Sequence, residues 1–191
     1  ASRGPWSLEF VSGNRRKGDP TGIFLSDPLV ACGHQRDRYA LAHGQWKDTF
    51  LDQKLQVQAR VFAGQEKFSS MHHYGTPISF PSTGDWRGME LRTLYTGFDG
   101  HKWMLGLEWQ DNFRVDQRSI DFAEPDNNIS ISSPGTRTGV YAQDEWRMSD
   151  TLTATLGLRV DYNSTTGSRT SPRAALIWQA APATTLKALY G

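Results

Sequence analysis

Between Thr151 and Tyr162 every second side chain is apolar. Leu152, Ala154, Leu156, Leu158, Val160 and Tyr162 alternate with Thr153, Thr155, Gly157, Arg159 and Asp161. Side chains of a strand point to opposite faces with period two, so this segment is a strand with one wholly apolar side. The same alternation recurs in Leu55, Val57, Ala59, Val61 and Ala63, and in Trp103, Leu105, Leu107 and Trp109. It also recurs in Ala174, Leu176 and Trp178, and in Met89, Leu91, Thr93 and Tyr95. A chain built this way must cover many apolar faces, either with a second sheet or with lipid.

Period-two segments bounded by turn chemistry predict nine strands, at 5–14, 36–47, 54–67, 86–98, 102–114, 137–148, 151–163, 171–180 and 184–191. No 3.6-residue periodicity persists, so the class is all-β. No linker or shift in composition marks a second domain. A mean hydropathy of −0.57 and 37% apolar residues resemble a water-soluble protein. A barrel strand, however, dilutes its lipid-facing residues one-to-one with polar ones, so the average does not discriminate. The longest apolar runs, "WMLGL" (103–107) and "AALIW" (174–178), are strand-length, far below a membrane helix. The 21 Lys plus Arg against 20 Asp plus Glu argue against a nucleic-acid partner, which calls for a basic excess. Cys32 is the single cysteine, so no intramolecular disulfide forms; beside His34 it reads as a solvated loop thiol.

The connections decide between the two coverings. Residues 15–35, 68–85 and 115–136 are expected to be long loops, and "STTGSRT" (164–170) an intermediate one. The alternate links at 48–53, 99–101, 149–150 and 181–183 are short. A meander sends successive connections to opposite ends of the sheet, so long loops gather at one end and short turns at the other. That sorting is expected of an antiparallel up-and-down transmembrane barrel, of which these are about nine strands. Trp46, Phe98, Trp103, Trp146 and Trp178 cluster near the short turns, while Trp109, Phe113 and Tyr162 lie toward the long ones. Two such belts suit the two interfaces of a bilayer. The lumen-facing set predicted by parity is Arg60, Glu90, Arg92, Glu108, Gln143, Glu145, Arg159, Asp161 and Arg173. Two features fit less simply: Asp144 shares the parity of Val140 and Trp146, and Ala40, Ala42 and Gly44 define no clear outer face.

No nucleophile elbow, phosphate loop or zinc spacing is present, so no catalytic residue, metal site or cofactor is assigned and no enzyme is expected. Arg159 with Asp161, and Glu90 with Arg92, sit two apart on one face and read as ion pairs of a barrel interior. Candidate ligand contacts lie on the expected long loops: the basic cluster Arg15, Arg16 and Lys17, the "MHHY" residues His72, His73 and Tyr74, and Phe122. Phe24 and Phe80 are further aromatic candidates. Adjacent histidines of an extended segment point in opposite directions, which disfavours a metal shared by His72 and His73.

"VYAQDEWRMSDTLTATLGLRVDY" followed by "SPRAALIWQAAPATTLKALYG" closely resembles the barrel of TonB-dependent outer-membrane receptors. "KGDPTGIF" (17–24), "WRGMELR" (86–92) and "GLEWQDNFRVDQR" (106–118) also look like segments of that family. The resemblance implies a large barrel blocked by an N-terminal plug. Such receptors take up scarce nutrients such as ferric siderophores or cobalamin, energised through a TonB contact on the plug. The partners implied are outer-membrane lipid, an extracellular small molecule, and the TonB complex only through a plug. Neither plug nor closing strand is recognisable here, so residues 1–191 are expected to be part of the barrel, incomplete at both ends. A porin-like passive channel and a soluble β-rich binding module remain as alternatives.

Overall fold

The computed structural model describes residues 2–30 and 33–191, with side chains from residue 4 onward. Cys32 therefore lies outside the described residues. The strands are β1 (Ser2–Arg3), β2 (Trp6–Gly18), β3 (His34–Phe50), β4 (Leu55–His73), β5 (Pro77–Tyr95), β6 (His101–Asp121), β7 (Ile129–Ser132), β8 (Gly135–Arg147), β9 (Leu152–Asn163), β10 (Gly167–Ala181) and β11 (Thr184–Tyr190). They form one sheet ordered β1-β2-β3-β4-β5-β6-β8-β9-β10-β11, with β7 paired to β6. Every pairing is antiparallel between neighbours in sequence, apart from the β6–β8 pair that spans β7. Each of the nine predicted strands is present, and β1 and β7 are short additions. The sheet does not close on itself within the described residues.

Burial shows what the apolar faces touch. Along β9 the even-numbered residues are exposed and the odd-numbered ones partly covered, from Leu156 to Asn163. Leu156 is 64% exposed, while the Arg159 side chain is 29% exposed. This inverts the order of a soluble sheet, in which the leucine would be covered. Among the described residues no apolar side chain is buried; the buried non-glycine residues are Ser26, Ser70, His72 and Asp85. The surface of 13253 Å² for 21.4 kDa compares with about 9,000 Å² for a compact globule of that mass. A single sheet with one apolar and one polar face accounts for all three observations.

Register joins the apolar positions of neighbouring strands into one band. Leu8, Gly44 and Val61 lie in one cross-strand row, and Phe10, Ala42 and Ala63 in the next. The small residues of β3 therefore belong to the apolar face, which its own sequence leaves undefined. The band is edged near the short turns by Trp6, Trp46 and Phe50, with ring centroids 6.4 and 6.0 Å apart, and by Trp103, Trp146 and Trp178. Its other edge carries Trp109, Tyr162 and the Arg87–Asp111 ion pair. On the polar face, aromatic rings lie across glycines of the adjacent strand: Phe62 over Gly88 and Tyr141 over Gly106. A side chain at either glycine would displace the ring.

The expected loop at 68–85 is instead strand. β4 runs to His73, β5 resumes at Pro77, and the turn is only 74–76. The 115–136 segment likewise continues β6 to Asp121 and folds β7 back on it. β2 extends to Gly18, so Arg15, Arg16 and Lys17 are strand residues, and the turn after β9 is 164–166. What alternates between the two ends is thus the reach of the strands more than the length of the loops. The physical reason is that both faces become polar past the apolar band, so the period-two signal fades while the backbone ladder continues. Pro81 adds to the disguise; it sits where the β5–β6 ladder skips Phe80 and Pro81. β4 and β5 have 19 residues and β6 has 21, about twice what a bilayer crossing needs.

Candidate functional site

The polar face carries a charged lattice centred on β5, β6 and β9. Arg60, Glu90, Glu108, Gly139 and Asp161 occupy one cross-strand row. Arg92, Gly106, Tyr141 and Arg159 occupy the next. Glu90 and Glu108 stand directly opposite one another, a destabilising arrangement unless each has a cation. Arg60 donates to Glu90, and Arg159 Nη2 donates to Glu108 Oε2 at 2.7 Å. Arg159 reaches Asp161 at the same time, through Nη2 at 2.7 Å and Nε at 2.8 Å. Its guanidinium lies 5.6 Å from the Tyr141 ring centre. Gly139 makes this possible, because a β-carbon there would strike both Arg159 and Asp161.

The register sets Arg60, Glu90, Arg92, Glu108, Gln143, Glu145, Arg159, Asp161 and Arg173 on one face of the sheet. One pairing differs from expectation. Arg159 and Asp161 pair along their strand, but Glu90 takes Arg60 from across the ladder and Arg92 donates to Gln58 at 3.1 Å. An opposite residue on a neighbouring strand is closer than a residue two along the same strand. Sequence reading also missed Arg137, which donates to Gln110, and the Gln58–Gln45 bond at 3.0 Å. Even spacing from Arg60 and Glu108 places Gln58 and Gln110 on the same face, but the partners follow only from register.

The loop candidates separate. Arg15 pairs with Asp37 at 2.6 Å, and Lys17 shares its face. Arg16 lies on the other face, opposite Arg36, so the basic cluster is split by strand alternation. His72 is 3% exposed and belongs to an aromatic group with Phe24, Tyr74 and Phe80, at centroid distances of 5.5, 6.4 and 6.1 Å. The Tyr74 hydroxyl donates to the Phe24 carbonyl at 3.3 Å, tying the 19–33 connection to the β4–β5 turn. His73, one residue along β4, points to the opposite face, and its carbonyl accepts the Asp27 N–H at 2.7 Å. Phe122 is 55% exposed at the end of β6, outside this group. The arrangement offers hydrogen bonding and charge to a bound molecule and contains no nucleophile–base pair.

Comparison with known proteins agrees with this geometry. The family model "TonB dependent receptor-like, beta-barrel" matches residues 3–191. The solved structure of BauA, the ferric preacinetobactin receptor from Acinetobacter baumannii, is similar at 12% sequence identity with a TM-score of 0.60. The similarity covers 98% of this chain and 37% of that one. No curated protein sequence matches significantly.

Proposed function

Because the chain belongs to the TonB-dependent receptor β-barrel family, whose members are outer-membrane transport receptors and not enzymes, we propose that it forms part of the wall of a plugged outer-membrane barrel. In this reading the polar face lines the lumen and the apolar band meets lipid. The long ends of β4, β5 and β6 stand outside the cell. The receptor takes up a scarce nutrient chelate, a ferric siderophore or cobalamin, with energy delivered by TonB through a plug elsewhere in the same receptor. The observation that carries the reading is the inverted burial of β9, exposed at Leu156 and covered at Arg159. In an outer-membrane receptor the covering such a face calls for is lipid. The ferric-siderophore class is favoured by the fold similarity to a ferric preacinetobactin receptor and by Arg15 and Lys17 sharing the polar face at its far end.

Uptake by cells carrying the full-length receptor tests this. Iron-limited cells deleted for their own receptors are given radiolabelled ferric chelates or radiolabelled cobalamin, with and without TonB. Accumulation of a ferric chelate only when both receptor and TonB are present is expected. Accumulation independent of TonB would make it a passive channel, and cobalamin uptake alone would move the substrate class.

A further inference from the structure

Past the apolar band, toward the long strand ends, the same face of β2, β3 and β4 carries Arg16, Arg36, Arg38 and Lys67 and no carboxylate. Register places Arg16 directly opposite Arg36, and Arg38 directly opposite Lys67. Both pairings follow without a shift from the Leu8–Gly44–Val61 row, so these side chains share the face of the apolar band. Like charges set opposite one another across a ladder are destabilising unless an anion neutralises them. Among the described residues none of the four has an ion pair. Arg36 Nε donates to the Asn14 side-chain oxygen at 3.4 Å.

The adjoining strands differ. On β5 and β6 the same face sets Arg87 against Asp111 and Arg114 against Asp85, both at 3.1 Å. Asp85 also accepts from Gln65 Nε2 at 2.7 Å, so that acid is already occupied. The uncompensated charge is therefore confined to β2, β3 and β4. Its height is set by the Trp6–Trp46 pair at the other edge of the band. Ten residues separate Trp6 from Arg16 and Trp46 from Arg36, and a tilted strand crosses the hydrocarbon in about 9–11. The cations thus stand one crossing away from the indoles, at the level of lipid headgroups. Directly below them the face continues into Phe10, Ala42 and Ala63, with Phe10 67% exposed. An amphiphile with an anionic head and apolar chains matches both parts. Guanidinium groups bind phosphate oxygens in pairs, and four cations outnumber the single charge of a phosphodiester head.

We propose that Arg16, Arg36, Arg38 and Lys67 bind the head of a glycolipid bearing two phosphates, of the lipid A type, whose acyl chains lie along Phe10, Ala42 and Ala63. The proposal rests on the reading above, in which the apolar band meets lipid and the long strand ends stand outside. It adds a specific lipid at one place on the rim, on the face opposite to the one that lines the lumen.

The test uses the full-length receptor in detergent, freed of co-purified lipid and of divalent cations. Native mass spectrometry follows binding of lipid A with two phosphates, one or none, and of phosphatidylglycerol. One saturable site for the bisphosphorylated form is expected, weakening as each phosphate is removed. Arg16→Gln with Arg36→Gln, and Arg38→Gln with Lys67→Gln, should each weaken it roughly thirtyfold, at about fivefold per cation near a lipid surface. Arg173→Gln, on the polar face, should bind as the parent does. Equal binding of phosphatidylglycerol or of lipid A without phosphates overturns the proposal, as does binding that survives both double substitutions. Inorganic phosphate binding as tightly as the lipid would assign the site to the free ion and overturn the glycolipid. Should a double variant fail to assemble, the lipid series on the unaltered receptor decides. Insertion into phospholipid vesicles reports the lipid-facing reading separately: a receptor that inserts but binds no lipid A overturns this proposal alone, and one that does not insert overturns both.

Discussion

His101 Nδ1 and Asp144 Oδ2 lie 2.7 Å apart on the apolar face of the sheet, and the imidazole stacks between Trp103 and Trp146 at centroid distances of 6.4 and 5.4 Å. β8 pairs with β6 without a register shift from Gly135 to Trp146, so no bulge turns the carboxylate aside. Asp144 instead stays among the indoles of Trp103 and Trp146, held by a partner from the start of β6. In the proposed membrane setting this position lies toward the interface, where the penalty for charge is smaller.

The pair should be energetically coupled. His101→Phe keeps a ring between the indoles but strands the carboxylate, and should destabilise the assembled barrel by about 1–3 kcal/mol. Asp144→Leu in the same background should recover most of the loss. Unfolding of the full-length receptor in liposomes measures it; strictly additive changes would show that the two residues act independently.

Leu156 and Thr155 are neighbours in β9 on opposite faces, the first on the apolar band and the second opposite Glu145 on the polar face. Leu156→Arg should cost about 2–4 kcal/mol near the membrane midplane and reduce the amount of heat-modifiable barrel. Thr155→Arg should assemble normally. Equal tolerance of the two would reverse the assignment of faces.

Arg159 is shared by Glu108 and Asp161, whereas Arg173, on the same face, has no ion pair among the described residues. Arg159→Met leaves two carboxylates without their common donor and should destabilise by about 1–3 kcal/mol. Arg173→Met should stay within about 0.5 kcal/mol of the parent. Adding Glu108→Gln to Arg159→Met should restore part of the loss, read from the urea midpoint of folding into vesicles.

Tyr74 precedes β5 and Asp99 follows it, and the 19 residues of the strand extend about 60 Å. In cells expressing a Cys32→Ser receptor, cysteines at Tyr74 and Asn127 should react with a membrane-impermeant thiol reagent. A cysteine at Asp99 should react only after the outer membrane is opened. Labelling of Asp99 on sealed cells at the rate of Tyr74 would exclude a crossing by β5.

The period of two in residues 151–162 determined an all-β chain, and the same pattern located nine strands and sorted Arg60, Glu108, Arg159 and their companions onto one face. Parity suffices for these because it is a property of the extended backbone alone. It did not reach the ends of β4, β5 and β6, where both faces are polar and only the ladder of hydrogen bonds holds the strand. Nor could it identify partners. That Glu90 takes Arg60 and not Arg92, and that Asp144 meets His101, are consequences of register, which sets residues far apart in the chain side by side. Register is fixed by the summed pairing of whole strands, so those contacts belong to the tertiary structure and to no single stretch of sequence.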